Sequence, residues 1–267
     1  MDHFYKYYRW LSLDIVLGAI FFLAYLEKFF QVSLAWNVYF ALGSAIWLIY
    51  TTDHLIDAKS VDRPTSGRHL FHQRFFSLLI FAGGLIFMAA LINIYFLDVR
   101  IIKNGALLSA LCIGYLLAVY FFKKLWIKEV LVAGVYALGI FLAPATLTRI
   151  ELSAIPLIIQ LFSVALLNLL VFSYYDVDSD KEDGFNSLVI RLGKVKSSQL
   201  IKGIVIVIIV SVICFSWSEI NQIQGLYFVM TCTLLLVHCA PKFFKVNDRY
   251  RTVGDGIFYL PGLLLLL

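Results

Sequence analysis

Charge is scarce in this chain. Only 15% of its 267 residues are Asp, Glu, Lys or Arg, 61% are hydrophobic, and the mean hydropathy is +0.88. Soluble domains carry about a quarter charged residues, so a water-exposed globular surface is excluded. Cysteine is equally sparse. Cys112, Cys214, Cys232 and Cys239 stand singly in apolar runs, and even His238-Cys239 has no partner pair, which excludes a disulfide framework and a zinc site. A cleaved leader is not expected either: Met1 to Arg9 is polar and aromatic, and no small-residue cleavage site follows the first apolar run. The net charge of +5 says little by itself, and no nucleic-acid partner is expected.

What the chain does contain is apolar runs near membrane-span length, about 20 residues each. They cover roughly 10–26, 33–52, 75–97, 104–122, 129–148, 153–175, 200–217, 222–240 and a shorter 254–267. The expectation is an all-α polytopic membrane protein: one integral-membrane domain over 1–267, with about nine transmembrane helices around a central cavity open to the cytoplasmic side. Charge distribution tests the count. With the N-terminus and every second connection assigned to the cytoplasm, all but four of the 22 Lys and Arg (Lys28, Arg100, Lys103 and Arg149) fall on that side. The prediction is a multi-pass protein of the cytoplasmic membrane with its N-terminus inside.

Two of the inner connections, Asp57 to Arg74 and Asp176 to Leu200, are long and chemically dense. The second follows directly on an apolar run and packs Asp176, Asp178, Asp180, Glu182 and Asp183 into eight positions. If the helix continues, Asp176, Asp180 and Asp183 share one face at i, i+4 and i+7. Carboxylates stacked at a membrane boundary repel one another, so a cation belongs among them. Mg²⁺ suits, because it takes one or two carboxylates and leaves its other positions to water and phosphate. The second apolar run ends in the same way, with Asp53 and Asp57 at i, i+4. Two such pairs facing one cavity would suit two Mg²⁺ ions clamping a diphosphate. Either pair alone would read as solvated interfacial acid, as Asp178 and Glu182 do off the shared face.

Arg63, Pro64, Gly67 and Arg68 follow the first pair, and the Pro–Gly turn would hold both arginines near it for bidentate phosphate recognition. Lys123 and Lys124, after the fourth run, carry the same choice between diphosphate binding and topology charge. His54 lies off the Asp53/Asp57 face, and His69 and His72 read as interfacial, so none is taken as a metal ligand. Asp14, inside the first run, lies close enough to Arg9 to be its structural partner. Phe and Tyr faces in a cavity could accommodate a polyisoprenoid tail and stabilise an allylic cation, although most of the aromatics, 16% of the chain, would pack or face lipid.

These residues resemble the UbiA superfamily of intramembrane prenyltransferases. Asp176-x-x-x-Asp180, then Asp183-Gly184-x-x-Ser187-Leu188-x-x-Arg191-Leu192-Gly193, is similar to the family's second motif. Asp53-x-x-x-Asp57 with Arg63-Pro64-x-x-Gly67 is similar to the first, and Lys123-Lys124 after Tyr120 to the basic pair after the fourth helix. One departure stands out: Ile49 and Tyr50 occupy the positions where the family's first motif opens with Asn and Asp. The resemblance covers essentially the whole chain. It implies Mg²⁺-dependent transfer of a prenyl group from a polyprenyl or allylic diphosphate to a hydrophobic or aromatic acceptor, in quinone or isoprenoid-lipid biosynthesis. Asp53, Asp57, Asp176 and Asp180 would be catalytic metal ligands, Asp183 their support, and Arg63, Arg68, Lys123 and Lys124 the diphosphate contacts. Three other readings compete. A transferase acting on nucleotide-activated alcohols would keep its aspartates in one contiguous helix pair. A cation- or proton-coupled transporter would place ionisable groups near the bilayer midplane. A non-catalytic scaffold draws only on the Ile49-Tyr50 departure.

Overall fold

A computed structural model describes residues 3–61, 66–121, 127–148, 154–216 and 221–266. The described residues form helices α1 (His3–Trp10), α2 (Leu13–Phe29), α3 (Trp36–Ser60), α4 (Gly67–Arg74), α5 (Phe76–Ile94), α6 (Val99–Phe121), α7 (Lys128–Leu147), α8 (Ile155–Glu182), α9 (Leu188–Phe215), α10 (Asn221–Cys239), α11 (Pro241–Phe244), α12 (Arg249–Gly256) and α13 (Leu260–Leu264). Six of these, α5 to α10, are long and apolar enough to cross a membrane. Helix α2 has 17 residues, and α3 has 25 but ends in the polar stretch that carries Asp53 and Asp57.

Helix α8 is the axis of the bundle. It is apolar nearly all round and packs against α7, α9 and α10, burying Leu157, Leu161, Val164, Leu167 and Val171 almost completely. A helix with no polar face belongs inside a bundle. Helices α5 and α6 show the opposite: Phe81, Phe87, Ile92, Leu107 and Leu111 are each more than half exposed. Exposed apolar faces of that extent suit lipid and not water. Between helices in lipid the apolar driving force is weak, and buried polar contacts add about 0.6–2 kcal/mol each. One such rung is the Gln160 amide, which donates to Gln224 (2.8 Å) and to Ser211 (2.7 Å) and ties α8 to α10 and α9.

Local sequence ends the helices where the site needs them to end. Helix α8 stops in a Schellman motif: the Gly184 N–H bonds the Lys181 carbonyl (3.2 Å) and the Phe185 N–H bonds that of Asp180 (2.8 Å). Gly184 takes φ +77°, the left-handed conformation that favours glycine. Ser187 then caps α9 through the Ile190 N–H (3.2 Å), and Gly193 at φ +79° interrupts that helix. Ser66 caps α4 through the His69 N–H, and Gln73 donates to the Ala58 and Val61 carbonyls at the end of α3. Helix α4 is thereby pinned across the end of α3.

The last apolar run comprises the end of α12, a 3-10 turn over Ile257–Tyr259, and α13. Close approach holds this segment to the rest. A Cβ on Gly254 would stand 2.5 Å from Phe172 Cε1 on α8, and nearer still to Asn168 Oδ1; one on Gly18 of α2 would stand 2.9 Å from Phe258 Cβ.

Candidate active site

One cavity of about 690 Å³ opens where the end of α3, α4, the start of α7, the end of α8, and α12 meet. Asp53, Asp57, Asp176, Asp180 and Asp183 all line it, and so does Arg68. Two carboxylate pairs that lie far apart in the chain therefore share one space. Arg63, Lys123 and Lys124 lie outside the described residues.

Each acid has a distinct setting. Asp53 accepts the Tyr115 hydroxyl (2.9 Å) from α6. Asp57 faces the Lys128 ammonium of α7 at 3.7 Å. Asp176 accepts both the Tyr250 hydroxyl and the Arg251 guanidinium from α12. Asp180, one turn on, forms no ion pair within 4 Å among the described residues, and its carboxylate faces the cavity. Asp183 is the C-cap of α8, and its side chain meets His69 Nδ1 at 3.3 Å. Asp178 is exposed and pairs with Lys194 (3.1 Å), away from the cavity.

Sequence reasoning took His69 and His72 for interfacial residues, whereas both are buried, as is His54. The cause is α4, which folds back over the end of α3 and covers them. His72 bonds the Arg68 carbonyl (2.9 Å), and its ring packs against that of His54. Burial and the neighbouring Arg68 guanidinium push the His69 pKa down to about 4, so the ring is neutral. Its Nδ1–H donates to Asp183, and Nε2 has no partner among the described residues. Burial and the nearby Arg251 also lower the Arg68 pKa, against the pull of Asp176, Asp57 and Asp180.

Lining residues that sequence reasoning missed include Lys128, Tyr250, Arg251 and Asp255. Lys128 and Arg251 had been counted as topology charges, which is how basic residues near span ends read. Tyr250 stacks flat on Tyr175 (4.4 Å between ring centroids, 6° between planes), and this stack fixes α12 against α8. The pairing of Asp14 with Arg9 does not form. Asp14 instead accepts the Ile15 N–H (3.0 Å) and faces the cavity with Asp255. Tyr50 also lines the cavity, at the position of the departure from the UbiA motif.

A second cavity of about 920 Å³ runs along α3, α5 and the end of α6. Trp47, Leu48, Leu79, Ile80, Phe87 and Phe121 are among its walls, and it shares Asp57, Lys128, Asp183 and Phe185 with the first. A polar chamber and an apolar groove therefore meet at one junction.

Comparison with solved structures identifies the architecture. A UbiA homologue from Archaeoglobus fulgidus bound to GPP and Mg²⁺ matches with a TM-score of 0.69 and 15% identity, over 98% of this chain and 99% of that one. The fold is that of the UbiA homologues. The apo UbiA homologue from Aeropyrum pernix K1 matches with a TM-score of 0.64 and 14% identity, over 96% and 99% of the two chains. A digeranylgeranylglyceryl phosphate synthase matches with a TM-score of 0.58 and 14% identity, over 100% and 96%. No family profile and no curated protein matches the chain by sequence.

The acids of this UbiA-type cavity suit a hard cation, since every carboxylate offers oxygen. Among the described residues, no group of three or more His, Cys, Asp or Glu side chains stands close enough to hold a metal alone. That fits Mg²⁺ bound with a phosphate ligand, which needs only one or two carboxylates and fills its other positions from substrate and water.

Proposed function

We propose that this chain is a divergent UbiA-type prenyltransferase that moves a prenyl group from a polyprenyl or allylic diphosphate to a hydrophobic or aromatic acceptor within the membrane. The observation that carries the proposal is the convergence of two separate DxxxD pairs and cationic side chains, Arg68, Lys128 and Arg251 among them, on one cavity that joins an apolar groove. The solved UbiA homologues bound to GPP or DMAPP with Mg²⁺ support it.

On this reading Asp53, Asp57, Asp176 and Asp180 hold Mg²⁺, with Asp183 behind them. The metal, when bound, supplies positive charge to the leaving diphosphate. Arg68, Lys128 and Arg251 draw the diphosphate in and balance its remaining charge, and Arg63, Lys123 and Lys124 add to that field. The apolar groove takes the prenyl tail. A cavity within the bilayer would keep water from an allylic cation until it meets the acceptor. Phe172 and Tyr250 line the cavity beside Asp176, with the Arg251 guanidinium over both rings. The cavity would face the cytoplasm, with the N-terminus inside and the protein in the cytoplasmic membrane, serving quinone or isoprenoid-lipid biosynthesis.

The test is binding of radiolabelled geranyl diphosphate to the purified protein, with and without Mg²⁺. Asp176→Asn and Asp180→Asn should each abolish Mg²⁺-dependent binding while the protein still inserts and folds. Full binding in both variants, or none in the wild type at any Mg²⁺ concentration, would end this reading and bring the transporter or scaffold forward.

A further inference from the structure

Where α8 ends, α9 starts and α10 ends, the bundle carries a face that is both basic and apolar. Helix α11 is seated there by Phe244, which is buried in the core, while Lys242, Phe243 and Lys245 are exposed. A 3-10 turn over Val246–Asp248 follows, and Asn247 and Asp248 both take left-handed backbone (φ 51° and 54°). Asn and Asp tolerate that conformation better than bulkier residues do. The turn doubles the chain back, so that the Arg249 guanidinium sits over the Phe243 ring, 4.5 Å from its centroid. A cation and an apolar side chain are thereby held side by side at the surface.

The start of α9 comes to the same place. Lys194 and Lys245, from either side of α10, both lie within electrostatic reach of Asp178. Lys194 is paired with that acid, whereas Lys196, Lys242, Lys245 and Arg249 are exposed and form no ion pair within 4 Å among the described residues. Between these cations stand Val195, Phe243 and Val246, which are 74%, 57% and 49% exposed. Val195 also begins an apolar face: Ile206, eleven residues and about three turns on, is exposed as well, followed by Val207 and Val210. Helices α9 and α10 are long and apolar enough to cross a membrane, so the basic face lies at the end of a surface that suits lipid.

We propose that this face is a docking site for the headgroups of anionic phospholipids. Lys196, Lys242, Lys245 and Arg249 meet the phosphates, and Val195, Phe243 and Val246 enter the acyl boundary beneath them. Water would solvate the cations alone, but it would not favour the apolar side chains between them. At a bilayer boundary both are satisfied, because apolar groups sink towards the acyl chains while long basic side chains reach up to the headgroups. Each Lys or Arg near an anionic leaflet contributes about fivefold in affinity, and salt weakens the effect. The inference goes beyond the prenyl-transfer reading, since none of these seven residues lines the acidic cavity.

The experiment equilibrates the full chain, purified in detergent, with dioleoyl phosphatidylglycerol or dioleoyl phosphatidylcholine, and counts the retained lipids by native mass spectrometry. Wild type should hold phosphatidylglycerol at least about tenfold more tightly than phosphatidylcholine. Lys242→Gln/Lys245→Gln/Arg249→Gln should lose most of that preference while its melting midpoint in phosphatidylcholine holds. Lys196→Gln/Lys242→Gln leaves the Arg249–Phe243 contact intact and should lose part of it, so the test stands even if the triple variant fails to fold. Lys28→Gln/Lys103→Gln removes charge from the other end of the bundle and should keep the preference. No preference in the wild type would overturn the proposal. An unchanged preference in both patch variants, or an equal loss in the opposite-end variant, would do the same. Glycerol 1-phosphate is the last arm: if it displaces phosphatidylglycerol at equal concentration, the face recognises free phosphate and the lipid assignment falls.

Discussion

Gly254 and Gly256 lie two residues apart at the end of α12, and the packing around them predicts opposite outcomes for the same substitution. A methyl group on Gly254 would stand 2.5 Å from Phe172 Cε1 and 2.8 Å from Phe172 Cζ, with Asn168 Oδ1 nearer still. These neighbours cannot retreat freely, because Phe172 packs on Tyr250 and the Asn168 amide is held by Asp255. Overpacking of this kind costs about 1–3 kcal/mol. A methyl group on Gly256 meets nothing within 4 Å, and its φ of −62° already suits alanine. There the lost flexibility of the unfolded chain favours the variant by about 0.4–1 kcal/mol. Thermal unfolding in detergent should therefore show Gly254→Ala melting about 2–10 °C below wild type and Gly256→Ala at or slightly above it. Function should split more widely. The clash displaces α12, which carries Tyr250 and Arg251 to Asp176, and a misplacement of about 1 Å can cost about 100-fold in turnover. Donor binding and product formation, measured by chromatography of radiolabelled geranyl diphosphate, should fall sharply for Gly254→Ala and hold for Gly256→Ala. Equal melting points and equal activities would refute the close approach of α12 to α8.

Stability should also depend on pH through His69. Its pKa is pushed down to about 4 in the fold, against about 6.5 in an unfolded chain, so between those values the unfolded chain binds the extra proton. Stability should be steady above pH 6.5 and fall, by up to about 3 kcal/mol, as pH drops towards 4; His69→Gln should flatten that slope in denaturant titrations. Lys128→Met should cost about 2–4 kcal/mol by leaving Asp57 buried without its cation, whereas Lys128→Met/Asp57→Leu should recover part of the loss. Additive losses in the double variant would show that the 3.7 Å pair is not coupled. Gln160→Leu should destabilise by about 0.6–2 kcal/mol through the stranded Gln224 amide, and Gln160→Leu/Gln224→Leu by less, as read from unfolding midpoints.

Composition and spacing alone determined a great deal here. Apolar runs of span length with 15% charge leave no stable solution in water, and in lipid the backbone must satisfy itself, so helices follow. Residue spacing likewise put Asp53 with Asp57, and Asp176 with Asp180, one turn apart at helix ends, because 3.6 residues per turn is a local property. The Schellman stop at Gly184 and the Ser187 cap are equally local.

What the sequence could not decide is which distant groups meet. Lys128, Tyr250 and Arg251 enter the cavity only because α7 and α12 pack beside α8, and nothing in their own neighbourhoods distinguishes Lys128 and Arg251 from topology charges. His69 and His72 looked interfacial because only the fold-back of α4, pinned by Gln73 on the end of α3, buries them. The last apolar run is too short in sequence to say how it sits, and close contacts at Gly18, Gly254 and Gly262 are what dock it. Hydropathy is a sum over neighbours in the chain, whereas partners across a cavity are set by helix packing, where one missing Cβ decides how near two backbones can come.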